Sequence, residues 1–236
     1  MIKPKKIYPS APVYIYASEQ GKPRSYNDTL TPFALAQKGN IVLAIDVRGM
    51  GETSPTASLP TPVKFSNCTS FQWIHDCLAI QSPGFGRTML GMRTYDVIRG
   101  IDCIESQPGL KEKKIRLYGE GIGGLWATLA AIFDPRVDGV ITENTLTSYK
   151  ELVNNKYYAV SSAYFWGAAG VLCDFDIPDL VQLASAKPQV WLNPINETSE
   201  PLSASEATGI LGRYKNIKVV IERQNEATKV LRSFQP

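Results

Sequence analysis

The chain has 236 residues, of which 44% are hydrophobic and 20% charged, enough apolar material for one packed α/β domain and too much for wholesale disorder. A formal net charge of +3 is too mild to argue for nucleic acid or an anionic membrane as a partner, and no stretch approaches the ~18 apolar residues of a membrane span. His75 is the one histidine, so any mechanism that needs two, or one near the C-terminus, is excluded.

Met1-Ile2-Lys3-Pro4-Lys5-Lys6 opens the chain with positive charge and no apolar run behind it. No secretory signal is read there, which leaves a cytoplasmic protein or a mature or truncated form of an exported one. Val13-Tyr14-Ile15-Tyr16 is the first predicted strand. A helix follows from about Asp28, a plausible N-cap, to Gln37, and Gly39 ends it. Ile41 to Ile45 is an uninterrupted apolar run and predicts a buried strand. Residues 49–70 are rich in Gly, Pro, Ser and Thr and predict a long loop. Arg87 to Glu105 carries Leu90, Tyr95, Val97, Ile98, Ile101 and Ile104 at helical spacing.

A strand is predicted at Ile115-Arg116-Leu117-Tyr118, then a glycine turn, a helix over Leu125–Phe133 and a strand over Val137–Ile141. Residues 145–172 are aromatic and small and look inserted. They carry Tyr149, Tyr157, Tyr158, Tyr164, Phe165 and Trp166, which fit packing better than a sugar-stacking platform. Next come a helix over Ile177–Ala184, with Asp174, Asp176 and Asp179 placed to cap it, and a strand over Val190–Leu192. A helix over Ser203–Tyr214, a strand over Ile217–Ile221 and a helix over Glu226–Phe234 complete the pattern. Alternating strands and helices predict an α/β fold with a doubly wound, mostly parallel sheet. The chain, 1–236, reads as a single domain with insertions near 49–84 and 145–175.

Cys68, Cys77, Cys103 and Cys173 form no Cys-x-x-Cys pair, so no zinc site, and no other metal or cofactor, is expected. Buried free thiols are expected. A Cys68–Cys77 disulfide stays open for an oxidising compartment.

The sharpest motif is Gly119-Glu120-Gly121-Ile122-Gly123-Gly124, between a strand and a helix. One device with this shape is the nucleophile elbow, Gly-x-Ser-x-Gly. In that reading Gly119 and Gly123 flank Gly121, which stands where a nucleophile would, and the Ile122 amide offers half of an oxyanion hole. The other device is a dinucleotide-binding turn, with Gly119, Gly121 and Gly124 at its spacing and Glu143 at the distance of a ribose-binding acid. Against it, the turn falls in mid-chain, after at least two strands. Glu120 reads as a solvated or salt-bridged residue or as a pocket carboxylate, and Glu143 as a strand-end residue at the crevice.

Asp46-Val47-Arg48-Gly49-Met50-Gly51-Glu52-Thr53, after an apolar strand, resembles the loop after the fourth strand of α/β-hydrolases. With Gly91 to Val97, Tyr118 to Gly124, Asp176 to Leu180 and Asn193 to Asn196, the chain is similar to the acetyl xylan esterase-like group over residues 12–234. The resemblance implies an α/β-hydrolase fold, shortened at its N-terminus, and an esterase-like hydrolase. Yet Gly121 takes the nucleophile position and Asn196 the acid position, with Glu197 its ionisable neighbour. The histidine position offers only Arg223, Gln224 and Asn225. His75 lies in the early insertion, and Arg48 is expected to brace its loop through carbonyls.

These residues support a protein of esterase ancestry that lacks the triad, is non-catalytic or weak, and binds a carbohydrate or small ester. An alternative is an active esterase in which Glu120, Glu143 or Glu197 is general base for a water held by the Ile122 amide. A dinucleotide-binding protein is the second alternative. Neither nucleic acid nor membrane is expected as a partner.

Overall fold

The computed structural model describes residues 1–4, 10–23, 31–53, 79–159 and 168–221. His75, Cys68, Cys77, Arg223, Gln224, Asn225, the start of the first predicted helix and the whole last helix lie outside them. So do Tyr164, Phe165 and Trp166.

Six strands form one sheet in the order β2-β1-β3-β4-β5-β6. They are β1 (Val13–Ser18), β2 (Ile41–Ala44), β3 (Ile115–Glu120), β4 (Val137–Glu143), β5 (Gln189–Leu192) and β6 (Ile217–Val220). Each neighbouring pair is parallel. Parallel strands need helical crossovers and end up covered on both faces, which explains their nearly continuous apolar runs. The side-chain alternation sorts the core into two layers. Val13, Ile15, Leu117 and Val140 pack against α2 (Met89–Glu105), α3 (Ile122–Phe133) and α5 (Ile177–Leu183). Tyr14, Tyr16, Tyr118 and Ile141 join Leu35 and Ala36 of α1 (Thr31–Gln37) on the other face.

Two short helices complete the described set: α4 (Tyr149–Asn154) and α6 (Ala204–Leu211). Local caps match the sequence. Thr88 accepts the Gly91 amide at the start of α2. Asp176 and Asp179 make a reciprocal capping box on α5, and Ser203 and Glu206 make one on α6. Asp174 stands instead at the end of a short 3-10 turn, Val171–Cys173.

Several boundaries differ from expectation. Helix α3 starts at Ile122 rather than Leu125. Its Gly123-Gly124 pair looked like turn, but close approach to the sheet demands it. Strand β4 runs on to Glu143 because it is paired on both sides, with Glu120 and with Leu192. The thiols of Cys103 and Cys173 are free but exposed, not buried, because each sits on the outer side of its element. Of the aromatics in 145–172, Tyr149 is in the core, whereas Tyr157 and Tyr158 are exposed. Among the described residues no helix is long and apolar enough to cross a membrane.

Candidate functional site

The sheet changes winding direction at β1, whose successor β2 lies on one side and β3 on the other. In an open parallel sheet such a switch point leaves a crevice beyond the carboxyl ends of the two strands. Residues 19–21 and 119–123 lie at that switch point.

The Gly119–Gly124 turn crosses it as a sharp strand-to-helix bend. Gly121 has φ 59° and ψ −131° and caps α3. That positive φ is costly for any residue with a side chain. A Cβ on Gly119 would lie 2.2 Å from the Gly123 carbonyl oxygen, and one on Gly123 would lie 2.2 Å from that of Ala17. Both flanking glycines are therefore demanded by the contact of strand and helix, as an elbow requires. The bend is also fixed from β4. The Gly121 amide donates to the Glu143 carbonyl at 2.8 Å, and the Thr145 hydroxyl donates to the Gly121 carbonyl at 3.1 Å.

The space a side chain at 121 would fill is not empty. A Cβ there would lie 2.2 Å from Oε2 of Glu19. Glu19 follows β1 directly, and the Ile122 amide donates to its Oε2 at 3.3 Å. The carboxylate thus sits at the amino end of α3, where the helix dipole favours an anion. Burial nevertheless pushes the Glu19 carboxyl above its ordinary range; the Ile122 amide opposes the shift, and the charge of Glu120 adds to it.

Glu120 and Glu143 are register partners at the ends of β3 and β4. Among the described residues neither meets a salt-bridge partner. The Tyr16 hydroxyl donates to Glu120 Oε2, and the Tyr118 hydroxyl donates to Glu143 Oε2 at 2.6 Å. The two rings pack with centroids 5.9 Å apart. Burial raises both phenol pKa values, helped by the adjoining carboxylates, so both phenols stay protonated donors. Burial also raises the Glu143 carboxyl, against the pull of the Tyr118 hydrogen bond. Glu120 is thus paired with a phenol while staying partly exposed.

The remaining predicted positions do not converge on this point. Asn196 turns its carboxamide into its own loop, where Oδ1 accepts from the amides of Thr198 at 3.0 Å and Glu200 at 2.9 Å. Glu197 accepts from Asn155 at 2.7 Å. Arg48 braces its loop, but through the carboxylate of Asp96 rather than through carbonyls, donating from Nε at 2.8 Å and Nη2 at 2.5 Å. A paired carboxylate gives this fork a better match than scattered carbonyls. Beneath it Arg93 is buried over the Trp126 ring and donates to the Arg48 carbonyl, and burial brings its pKa down to about 10. Among the described residues no group of His, Cys, Asp and Glu is arranged to hold a metal ion.

A parallel sheet in this order, crossed by this elbow, is the architecture of the α/β-hydrolases, and the chain has that fold. The solved structures it matches agree. An acetyl xylan esterase from Paenibacillus sp. R4 superposes with a TM-score of 0.60 at 19% identity, covering 98% of this chain and 75% of that one. Acetyl xylan esterase 1 from Thermoanaerobacterium sp. JW/SL YS485 gives 0.59 at 18%, covering 98% and 75%. A protein from Bacteroides fragilis NCTC 9343 assigned as an acetyl xylan esterase gives 0.68 at 14%, with 96% of this chain covering 63% of that one. The chain thus spans less than two thirds of that last relative. No family model and no curated protein matches the sequence.

Sequence reasoning missed Glu19. Its signal was topological: if β1 and β3 are neighbours, the residue after β1 faces the turn after β3.

Proposed function

We propose that this is an esterase-derived protein of the acetyl xylan esterase-like group that no longer carries out serine-dependent ester cleavage and instead binds a carbohydrate or small ester in the crevice over the elbow. One observation carries the reading. The elbow is kept in full, while Gly121 offers no nucleophile and Glu19 fills its place and engages the Ile122 amide. That amide cannot stabilise an oxyanion while it donates to Glu19. The general-base alternative draws no support from the partners of Glu120, Glu143 and Glu197, each of which is tied to a donor within the fold.

The test is hydrolysis of p-nitrophenyl acetate by the purified protein, together with labelling by a serine-directed phosphonate. The expected result is no burst and no stoichiometric adduct. A burst, or a phosphonylated serine, overturns the reading.

A further inference from the structure

A cavity of about 380 Å³ lies away from the elbow, walled by α4 on one side and by the 3-10 turn Val171–Cys173 on the other. Its volume falls in the range of small-molecule pockets, roughly 300–1,000 Å³. Neither Glu19 nor any residue of the Gly119–Gly124 turn lines it. The small residues Ala168 and Gly170 complete the wall without filling the space, and a Cβ on Gly170 would meet nothing within 4 Å.

The wall limits what can bind. Among the described residues that line it, none carries a charge. An ionic ligand finds no counter-charge there, and a ligand rich in hydroxyls finds few groups to pair with, so its polar atoms would be buried at a cost. A hydrocarbon surface meets no such obstacle. Val153 and Leu172 leave 72% and 36% of their own surface exposed at this place, apolar area that a seated ligand would take out of water.

One polar group of the wall stands apart. Tyr149 is buried, and its hydroxyl has no hydrogen-bond partner. The neighbouring carboxylate of Asp176 is already engaged. Its Oδ1 accepts from the amides of Tyr149 at 2.6 Å and Ile177 at 2.7 Å, and its Oδ2 accepts from the Ser148 hydroxyl at 2.7 Å. These bonds also pin the start of α4 to the start of α5, so the phenol is held in place before any ligand arrives. Burial raises the Tyr149 pKa and the charge of Asp176 adds to the shift, which keeps the hydroxyl a protonated donor. A buried donor without an acceptor is costly, and folds seldom keep one.

We infer that the cavity beside α4 binds a small uncharged molecule, mostly hydrocarbon, whose single hydrogen-bond acceptor takes the Tyr149 hydroxyl. This site needs no catalysis and does not depend on the reading of the elbow.

Cys173 supplies a readout at the site itself. Its exposed thiol lines the cavity, whereas the exposed thiol of Cys103 lies on α2 and does not. Alkylation of each thiol by iodoacetamide is followed by peptide mass spectrometry on the full chain. Three probes are compared: acetophenone, α-methylstyrene, which carries CH₂ in place of the ketone oxygen, and the benzoate anion. Acetophenone should slow alkylation of Cys173 severalfold at saturation and leave Cys103 unchanged. Its Kd should be about fivefold lower than that of α-methylstyrene, the worth of one net hydrogen bond. Tyr149→Phe, with an unchanged circular dichroism spectrum, should bring the two Kd values together. The comparison of the two isosteres on the wild-type chain decides the matter even where that variant does not fold. No protection of Cys173 overturns the inference, as does benzoate protecting as well as acetophenone, or a preference for the ketone that survives in folded Tyr149→Phe. A dimer in sedimentation that Val153→Asp dissociates would make the cavity a contact between copies and overturn it too. A burst on the aryl ester would strike the non-catalytic reading of the elbow and leave this site untouched.

Discussion

At the amino ends of β3 and β4, acidic side chains meet cations. Arg136 clasps Asp134 and reaches Asp102 at 2.8 Å and Glu105 at 2.7 Å, while Lys114 and Arg116 flank Asp138. Lys187 closes the end of α3 by donating to the carbonyls of Ala131 and Asp134 at 2.6 Å. At the carboxyl ends of β1, β3 and β4, Glu19, Glu120 and Glu143 meet an amide and two phenols. The shifts follow. Hydrogen bonds from Arg136 hold the Asp134 carboxyl below its ordinary range, whereas burial holds Glu19 and Glu143 above theirs. One end of the sheet is arranged for stability. The other retains costly groups, which natural sequences tolerate chiefly at sites of function.

The comparison breaks first if the elbow is not tightly packed. Gly123→Ala sets a methyl 2.2 Å from the Ala17 carbonyl oxygen, with backbone on both sides and no flexible side chain to give way. A loss of about 3 kcal/mol is expected in urea unfolding. A loss under about 1 kcal/mol would mean that strand and helix are further apart than described.

Next in size is Gly121→Ser, which meets both the φ of 59° and the Glu19 carboxylate. It should cost about 1–3 kcal/mol. Adding Glu19→Ala should recover part of this, a favourable coupling of about 1 kcal/mol in a double-mutant cycle. Strict additivity would remove Glu19 from the space over Gly121.

Two smaller effects carry opposite signs and sharpen the contrast. Arg136→Met should cost about 1 kcal/mol at pH 7, since the network is partly solvated. The Asp134 carboxyl is depressed in the fold, so its contribution is present above its unfolded pKa and is lost as pH falls through the folded value. The gap between wild type and Arg136→Met should therefore close in acid. Glu143 is raised in the fold, so ionising it opposes folding, and acidification relieves that opposition. Glu143→Gln should be the more stable protein at pH 7 and lose its advantage as pH falls. Urea midpoints between pH 7 and pH 3 check both variants, and a Glu143→Gln that is weaker than wild type at neutral pH would place a donor beside Glu143 worth more than burial costs.

Much of this fold was legible because its signals are local. The apolar run at 41–44 announces a covered parallel strand, and Gly119 and Gly123 announce a bend that only hydrogen atoms can pass. The capping box at Asp176 and Asp179 could likewise be read from spacing. The site was less legible because its contacts are long-range. Glu19 and Ile122 are 103 residues apart and meet only because β1 lies beside β3. The partner of Arg48 lies 48 residues on, in α2, and no motif around Arg48 points to it. Asn196 shows the reverse case. Its position follows from the strand before it, but its role is set by amides of its own loop that any Asx turn can recruit.

Thr145 has a consequence for how the molecule breathes. Its hydroxyl binds the Gly121 carbonyl, and it lies so near Gly124 that a Cβ there would come within 2.0 Å of its oxygen. Strand, bend and helix are riveted at one point, and none can fray without the others. Deuterium should enter the Gly121 and Gly124 amides only through openings that cost nearly the full unfolding free energy, so this bend becomes one of the last segments in the chain to exchange.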